Sequence, residues 1–579
     1  MNKLYDKKQK DLTAWGLAAA VSVLCLVRLV LAAQGRVILL PDTSPIDDRL
    51  MYNAAVSITE GRWLGNYAYN CIAKQMFFSV WVALLHTLGV PYLIGNAALG
   101  LLGAWVTAAA LRPLLRRRWR VLTVFALLAY CPVGFDQFNY RVYRDSITIP
   151  LMLLALGGMT GCVLRLLLPE QARRPADRLL YAAVGGLGLG ASWLNREDGV
   201  WLLPFFVCIA VLTAAVLLKK DGPRRAWKAL TVLLVPFVLL GGCLAAYAGM
   251  NLKYYDRFIL SDLTSDDFVT AYGLLTGIED EGTGACRPIT YATRQKLYAN
   301  SAFFAALEPY WEHPMVLNGY GSTETHEYGG SYYYGLRLAN QLAGHYADAA
   351  ETEAFYREMT AELLRLEEEG VIAFAHRGHS TVPYRRWEYL VPTLRETGSG
   401  LAMALWMPTF DPAPQMSVFS DVPSADPEEM LAFLRADMVR GYVAGTDQPY
   451  YNPLQRAVFL AEDALCLLWR VCILPAVLAG LWAACRGGKN GFALLLGKKT
   501  ACGTESSRAA FAAWVLLWGL LLTALLRCGL MAYMEVTAFA IGTYLMYLST
   551  AVPLLGVCGA LGVFALCDSR KPAGGAERP

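Results

Sequence analysis

The chain has 579 residues, 56% hydrophobic and only 17% charged, with a mean hydropathy of +0.37, whereas soluble domains carry about 25% charged residues. The formal net charge of +4 hides an uneven distribution: from Met250 to just past Tyr450 there are about 14 Lys/Arg against about 28 Asp/Glu, and the rest is strongly basic. A single soluble domain is excluded. Because the basic residues sit in short loops between apolar runs, topology accounts for them and no nucleic-acid partner is implied.

Apolar runs of bilayer-spanning length predict ten transmembrane helices at roughly 12–34, 91–111, 121–136, 147–168, 179–195, 199–218, 228–249, 456–485, 509–532 and 537–566. The first run, Trp15 to Ala33, is too long for a signal-peptide core and lacks a small-residue cleavage site, so it reads as an uncleaved anchor. Lys3, Lys7, Lys8 and Lys10 precede it; Arg112 to Arg120, Arg173-Arg174, Lys219-Lys220 with Arg224-Arg225, then Arg486, Lys489, Lys498 and Lys499, and finally Arg570 and Lys571 fall in alternate loops. With ten spans, all of these lie on the cytoplasmic side, with both termini inside. Met76 to Leu88 is about 13 residues, too short to cross, and reads as an amphipathic helix lying in the outer interface and ending at Gly89-Val90-Pro91.

This topology divides the chain into three parts. Residues 1–250 form an N-terminal module of seven spans with an outer loop at 35–90; residues 251–454 form an extracytoplasmic α or α+β domain; residues 455–579 form a three-span module with a cytoplasmic tail. Within the outer domain, Ala347 to Gly370 has helical apolar spacing and a terminal Gly, whereas the Pro- and Asp-rich stretch Pro408 to Glu429 reads as loop. No internal repeat is evident, which counts against the inverted-repeat plan of many transporters. Most cysteines sit in apolar runs as small hydrophobes; Cys71 and Cys286 fall outside the spans, and their pairing is left open.

Ionisable residues beside spans are costly and usually face a cavity or one another. Five sets fall at the outer ends of spans: Asp47-Asp48-Arg49; Arg141, Arg144 and Asp145; Arg196-Glu197-Asp198; Glu462 and Asp463; Arg527 and Glu535. Arg28 and Arg527 taken singly fit snorkelling to water, whereas the trio at 196–198 lies in a very short turn between spans. His376-Arg377-Gly378-His379 has a metal-like spacing in a polar stretch that favours a plain loop. Tyr332-Tyr333-Tyr334, Trp311 and Trp387 fit core packing better than sugar stacking.

After the first span the sequence reads Asp47-Asp48-Arg49-Leu50-Met51-Tyr52, then Glu60-Gly61-Arg62-Trp63-Leu64-Gly65, then Lys74 leading into the amphipathic segment. This arrangement resembles the GT-C superfamily of membrane glycosyltransferases, and within it the group related to protein O-mannosyltransferases and lipid A aminoarabinose transferases. The resemblance covers about the first 250 residues and weakly includes Tyr544 to Pro553. The chain departs from the pattern in having Asp47-Asp48 where relatives often have Asp-Glu or acid-x-acid, and Lys74-Gln75-Met76 where many have Lys-Pro-Pro.

The resemblance implies a GT-C-like fold in the plasma membrane and an inverting, extracytoplasmic glycosyltransferase. Its substrate would be a polyprenyl-phosphate sugar, its acceptor a cell-envelope glycan, lipid or protein, and its surroundings membrane lipids. Asp48 is then the expected general base, with Asp47 orienting it or sharing a divalent metal, which the sequence admits without requiring. Lys74, Arg144, Arg196 and Arg527 are expected at the donor phosphate, with Asp145, Glu197 and Asp198 as supporting acids. Two other classes stand beside it. A transporter or flippase of lipid-linked substrates predicts deeper charges, of which Arg470 is one; a non-catalytic scaffold predicts that the acids and cations scatter.

Overall fold

The computed structural model describes residues 2–171, 174, 176–280, 282–284, 286–379, 381, 386–421, 423, 425–496, 504–540, 542 and 544–569. Arg173, Lys498, Lys499, Arg570 and Lys571, counted above among the inner basic residues, lie outside the described residues.

Among the described residues, ten helices run across a common layer. They are α1 (Asn2–Ala33), α2 (Tyr92–Ala110), α3 (Arg118–Ala129), α4 (Asp145–Leu167), α5 (Ala176–Asn195), α6 (Leu203–Asp221), α7 (Pro223–Tyr255), α8 (Pro453–Leu495), α9 (Thr504–Met534) and α10 (Ala551–Ser569). The protein is a polytopic helical membrane protein: eight of these helices, or the stretches containing them, are long and apolar enough to cross a bilayer, and α3 and α5 are the two that are not.

Packing nevertheless fixes the course of those two. Tyr92 at the start of α2 donates to the Arg141 carbonyl near the start of α4 (2.9 Å), and Arg165 near the end of α4 donates to the Ala109 and Ala110 carbonyls at the end of α2 (3.2 and 3.3 Å). The two helices are therefore parallel, so the chain between them must return across the layer. It does so through α3, 12 residues long, and the 3₁₀ turns Pro132–Phe135 and Gln137–Asn139. Arg196 just past α5 meets Asp145 at the start of α4, which makes α5 antiparallel to α4 over its full length. Four glycines, Gly185, Gly186, Gly188 and Gly190, dilute the hydropathy of α5 and give it close backbone contact instead, the packing mode of helices in lipid.

The tenth helix differs from its expected range of 537–566. Residues 535–550 form a π turn (Glu535–Phe539) and a short helix (Leu545–Leu548) before α10 begins at Ala551. At the opposite level from these segments, Arg120 binds Asp568 bidentately and Arg508 binds Asp221, tying α3 to α10 and α9 to α6 at that end of the layer.

Phe77–Leu88 is a helix of 12 residues, or about 18 Å at 1.5 Å per residue, against a hydrocarbon core of about 30 Å. Its start lies beside Glu197, which accepts from the Gln75 N–H (3.1 Å), and its end leads into α2 at the same level. The helix is thus laid along one level, as the sequence predicts. Gly89 ends it in the left-handed conformation (φ 69°).

Outside the layer, Phe268, Tyr272, Leu297, Trp311, Tyr332, Phe355 and Met359 form the core of an all-helical domain without named strands among the described residues. Its longest helix, Ala349–Glu368, starts on an Asp348 side-chain cap and is followed by Gly370 at φ 70°, matching the sequence reading. The expected outer segment is not all outside. Helix Leu390–Trp406 packs against α8, α9 and α10, with Ala404 and Met407 in the core of the layer. The chain then returns past Asp136 and Gln137 to pair Val418 with Leu39. This is a re-entrant hairpin that packs one face on the helical layer, at Gly400, Ala404 and Met407, and leaves the other face exposed.

Gly158 of α4 faces Gly185 of α5, and a Cβ at Gly158 would lie 2.2 Å from the Gly185 nitrogen and 2.4 Å from its Cα. Backbone cannot rotate aside, so Gly158→Ala is expected to cost about 1–3 kcal/mol, read as a lower thermal midpoint in detergent. Gly249→Ala, which meets nothing within 4 Å, is the matched control and leaves the midpoint unchanged or higher.

Candidate active site

Three helix starts converge at the outer-domain end of the layer, and each begins with acids. Asp47 and Asp48 lie in the first turn of the π segment Pro45–Arg49 that continues into Leu50–Thr59; Asp145 opens α4; Glu197 and Asp198 open the 3₁₀ turn Glu197–Leu202 that leads into α6. Carboxylates are favoured there by the unsatisfied N–H groups and the helix dipole. Backbone pairing sets their register: the Ile38 N–H donates to the Tyr140 carbonyl (3.0 Å), the Val142 N–H to the Ile38 carbonyl (3.2 Å) and the Val37 N–H to the Asp437 carbonyl (2.8 Å).

Cations interleave these acids. Lys74 pairs with Asp47, whose Oδ1 also accepts from the Tyr143 hydroxyl (3.0 Å). The Arg144 Nε donates to that same hydroxyl (3.1 Å), and its Nη1 donates to both oxygens of Glu197 (2.8 Å each). Arg196 bridges Asp145 and both oxygens of Asp198, and the Arg527 Nη1 donates to the Asp198 Oδ2 (2.7 Å) while its Nε donates to the Tyr547 carbonyl (2.8 Å). All nine residues singled out in the sequence, from Asp47, Asp48 and Lys74 through Arg144, Asp145 and Arg196-Glu197-Asp198 to Arg527, thus meet at one place.

Burial changes the roles expected of the acidic pair. The Asp48 side chain is 2% exposed and takes a bidentate contact from Arg141, whereas the Asp47 side chain is 28% exposed. Asp48 is therefore turned inward, and Asp47 is the more accessible member of the pair. Burial works against ionising Asp47, but Lys74, Arg144 and Arg141 outweigh it and hold its carboxyl below the ordinary range. Burial pushes the Asp48 carboxyl up, to about 6, against the pull of Arg141. The two carboxylates take separate cations, and no cluster of three His, Cys, Asp or Glu suited to a metal ion occurs among the described residues.

Lys74 is fixed from the outer domain. The Asp262 N–H and Ser261 hydroxyl bind the carbonyls of Ile72 and Ala73 (3.0 and 2.8 Å), the fully buried Arg337 holds the Tyr69 carbonyl and Asp262, and Tyr334 presents its ring to the Lys74 ammonium at 5.4 Å. Of the tyrosine triplet, Tyr332 is core, Tyr334 underlies Lys74, and Tyr333 lies in the field of Glu197, Arg144 and Asp47.

Sequence reasoning placed Arg141 beside a span without giving it a site role, and left Tyr143 and Tyr547 out. The stretch Arg141-x-Tyr143-Arg144-Asp145 carried a signal, since four of its five side chains join the same cluster.

The remaining expectations separate from this cluster. Glu462 faces Arg28, Asp463 lies toward Asp411, and Glu535 accepts from the Gly542 N–H. Arg28 does not snorkel: it donates to the Gly134 carbonyl (3.0 Å) and covers the Phe135 ring. Arg470 donates to the Trp406 and Met407 carbonyls (2.7 and 2.6 Å), capping the re-entrant helix. Trp311 is core, Trp387 is 89% exposed, and Cys71 and Cys286 are both free, Cys71 lying 3.2 Å from the Tyr255 hydroxyl.

No protein-family model and no curated protein matches the chain. Among solved structures it is similar to the crystal structures of ArnT from Cupriavidus metallidurans in the apo state (TM-score 0.29) and bound to undecaprenyl phosphate (TM-score 0.27). Each is 12% identical, over 95% of this chain and 78% of that one.

Removing one partner of a buried ion pair strands the other charge, at a cost of about 3–5 kcal/mol. Arg141→Ala should therefore lower stability strongly, and Asp48→Asn added to it should recover most of the loss. Denaturant unfolding of the two single variants and the double variant checks this; additive losses would mean that the two side chains are not coupled.

Proposed function

We propose that the protein is an inverting glycosyltransferase that moves a sugar from a polyprenyl-phosphate carrier to a cell-envelope acceptor at the extracytoplasmic membrane surface. The observation that carries this reading is the cluster in which a partly exposed carboxylate, Asp47, stands beside a chain of buried cations. The resemblance of the first 250 residues to GT-C enzymes points the same way.

In this mechanism the Asp47 carboxylate takes the proton of an acceptor hydroxyl. The acceptor oxygen attacks the anomeric carbon, the bond from that carbon to the phosphate oxygen breaks with inversion, and polyprenyl phosphate departs. Lys74, Arg144, Arg196 and Arg527 stabilise the charge that develops on the leaving phosphate; Asp145, Glu197 and Asp198 hold those arginines in place. Asp48 acts as a positioning residue through Arg141, whose guanidinium lies over the Tyr143 ring at 4.7 Å.

A lipid tail also has a place to go. An apolar cavity of about 750 Å³ between α6, α8 and α9 runs from Leu526, next to Arg527, past Phe205 and Trp518 to Trp514 and Phe492. Several of its lining side chains, Leu522, Leu526 and Phe492 among them, are exposed on the apolar surface of the helical layer.

The test is transfer of a labelled sugar from polyprenyl-phosphate donors by the purified protein. Asp47→Asn is expected to reduce kcat by about 10²- to 10⁴-fold, the range of a general base, with Asp48→Asn losing less. Undiminished transfer by Asp47→Asn would remove the role assigned to it. The pH profile adds a second reading. Lys74 helps hold the Asp47 carboxyl low, so the base stays ionised until the pH falls through that lowered value. Lys74→Met raises it, and the acid limb of kcat/KM should move to higher pH.

A further inference from the structure

The outer segment carries twice as many acids as bases, yet one of its cavities has the opposite sign. A space of about 630 Å³ is lined by Arg287, Arg377, Arg386, His376 and His379, and among the described residues no Asp or Glu lines it. Its floor reaches Tyr272 and its far edge Thr537, at the seam between the outer domain and the end of α9.

The wall is built rather than draped. The Ala375 N–H donates to the Gly277 carbonyl (2.9 Å) and the Glu279 N–H to the Ala373 carbonyl (2.7 Å). A Cβ at Gly273 would lie 2.1 Å from the Gly378 oxygen, and one at Gly277 would lie 2.2 Å from the His376 oxygen. Two glycines therefore let the His376-Arg377-Gly378-His379 turn press against the helix Asp266–Leu275. The acids that balance these cations stand outside the wall: Glu367 on Arg377 (2.6 Å), Glu388 beside Arg386 (3.5 Å) and Asp266 beside His379 (3.7 Å). Arg287 is exposed and comes to the lining from a separate segment.

We propose that this cavity is a second binding site, separate from the cluster around Asp47, for a phosphate-bearing ligand. Guanidinium groups from two separate segments line one space and suit bidentate phosphate contact, and the volume suits a phosphorylated sugar or a lipid head group. The mouth favours neither source alone. Arg386 and Tyr389 flank Trp387, and Leu390, Val391 and Leu394 continue the exposed apolar strip into the re-entrant helix.

The experiment uses the full-length protein in two arms. In uncharged detergent, inorganic pyrophosphate is titrated calorimetrically into wild type, Arg287→Ala/Arg386→Ala and Lys74→Met. In lipid nanodiscs, retention of anionic over zwitterionic phospholipid by the same three proteins is measured. Pyrophosphate binding that weakens at least tenfold in the double variant and survives in Lys74→Met supports the site with a soluble phosphate source. Arginine-dependent enrichment of anionic lipid without pyrophosphate binding supports it with a head-group source. Equal binding by wild type and double variant in both arms, or none in either, overturns it. Both arginines are exposed, so an unchanged melting curve is expected to show that the double variant folds. Neither arm depends on sugar transfer, so the result stands whether or not the proposed reaction does.

Discussion

Everything in this structure is organised around one buried chain of ion pairs where helix starts meet. Charges in or beside a hydrocarbon layer are tolerated only when paired, and here the pairs link elements far apart in the chain: Lys74 to Asp47, Arg141 to Asp48, Arg144 to Glu197, Arg196 to Asp145 and Asp198, and Arg527 to Asp198. Each acid stands at or near a helix N-terminus, where the dipole repays part of its desolvation. Five acids matched by five cations leave no net charge buried, so the layer can close over them.

That balance also explains how the two halves of the molecule are joined. The outer domain does not simply rest on the helices. It grips residues 67–74 through Arg337, Asp262 and Ser261, and so delivers Lys74 to Asp47. The Lys74–Asp47 pair thus depends on contacts that the domain makes to residues 67–74.

The same rule governs the deeper charges. Arg470 and Arg28, two arginines within apolar helices, spend their donors on backbone carbonyls that irregular segments leave open. Arg470 in particular allows the helix Leu390–Trp406 to end inside the layer, since its last carbonyls would otherwise go unmet. A charge at membrane depth here serves the fold, which removes Arg470 as support for a transport pathway.

The sequence by itself determined what depends on local pattern. Span-length apolar runs, the stop at Gly89, the helix before Gly370 and the gathering of acids and arginines at span ends were legible because hydropathy and capping act over a few residues. Tertiary structure alone decided what depends on distant partners. Which of Asp47 and Asp48 is buried was set by Arg141, 93 residues from Asp48. That residues 390–406 re-enter the layer was set by Arg470, and that α5 crosses despite its glycines was set by its contact with α4. Burial and pairing are properties of the folded neighbourhood, and neighbouring residues in the chain carry no record of them.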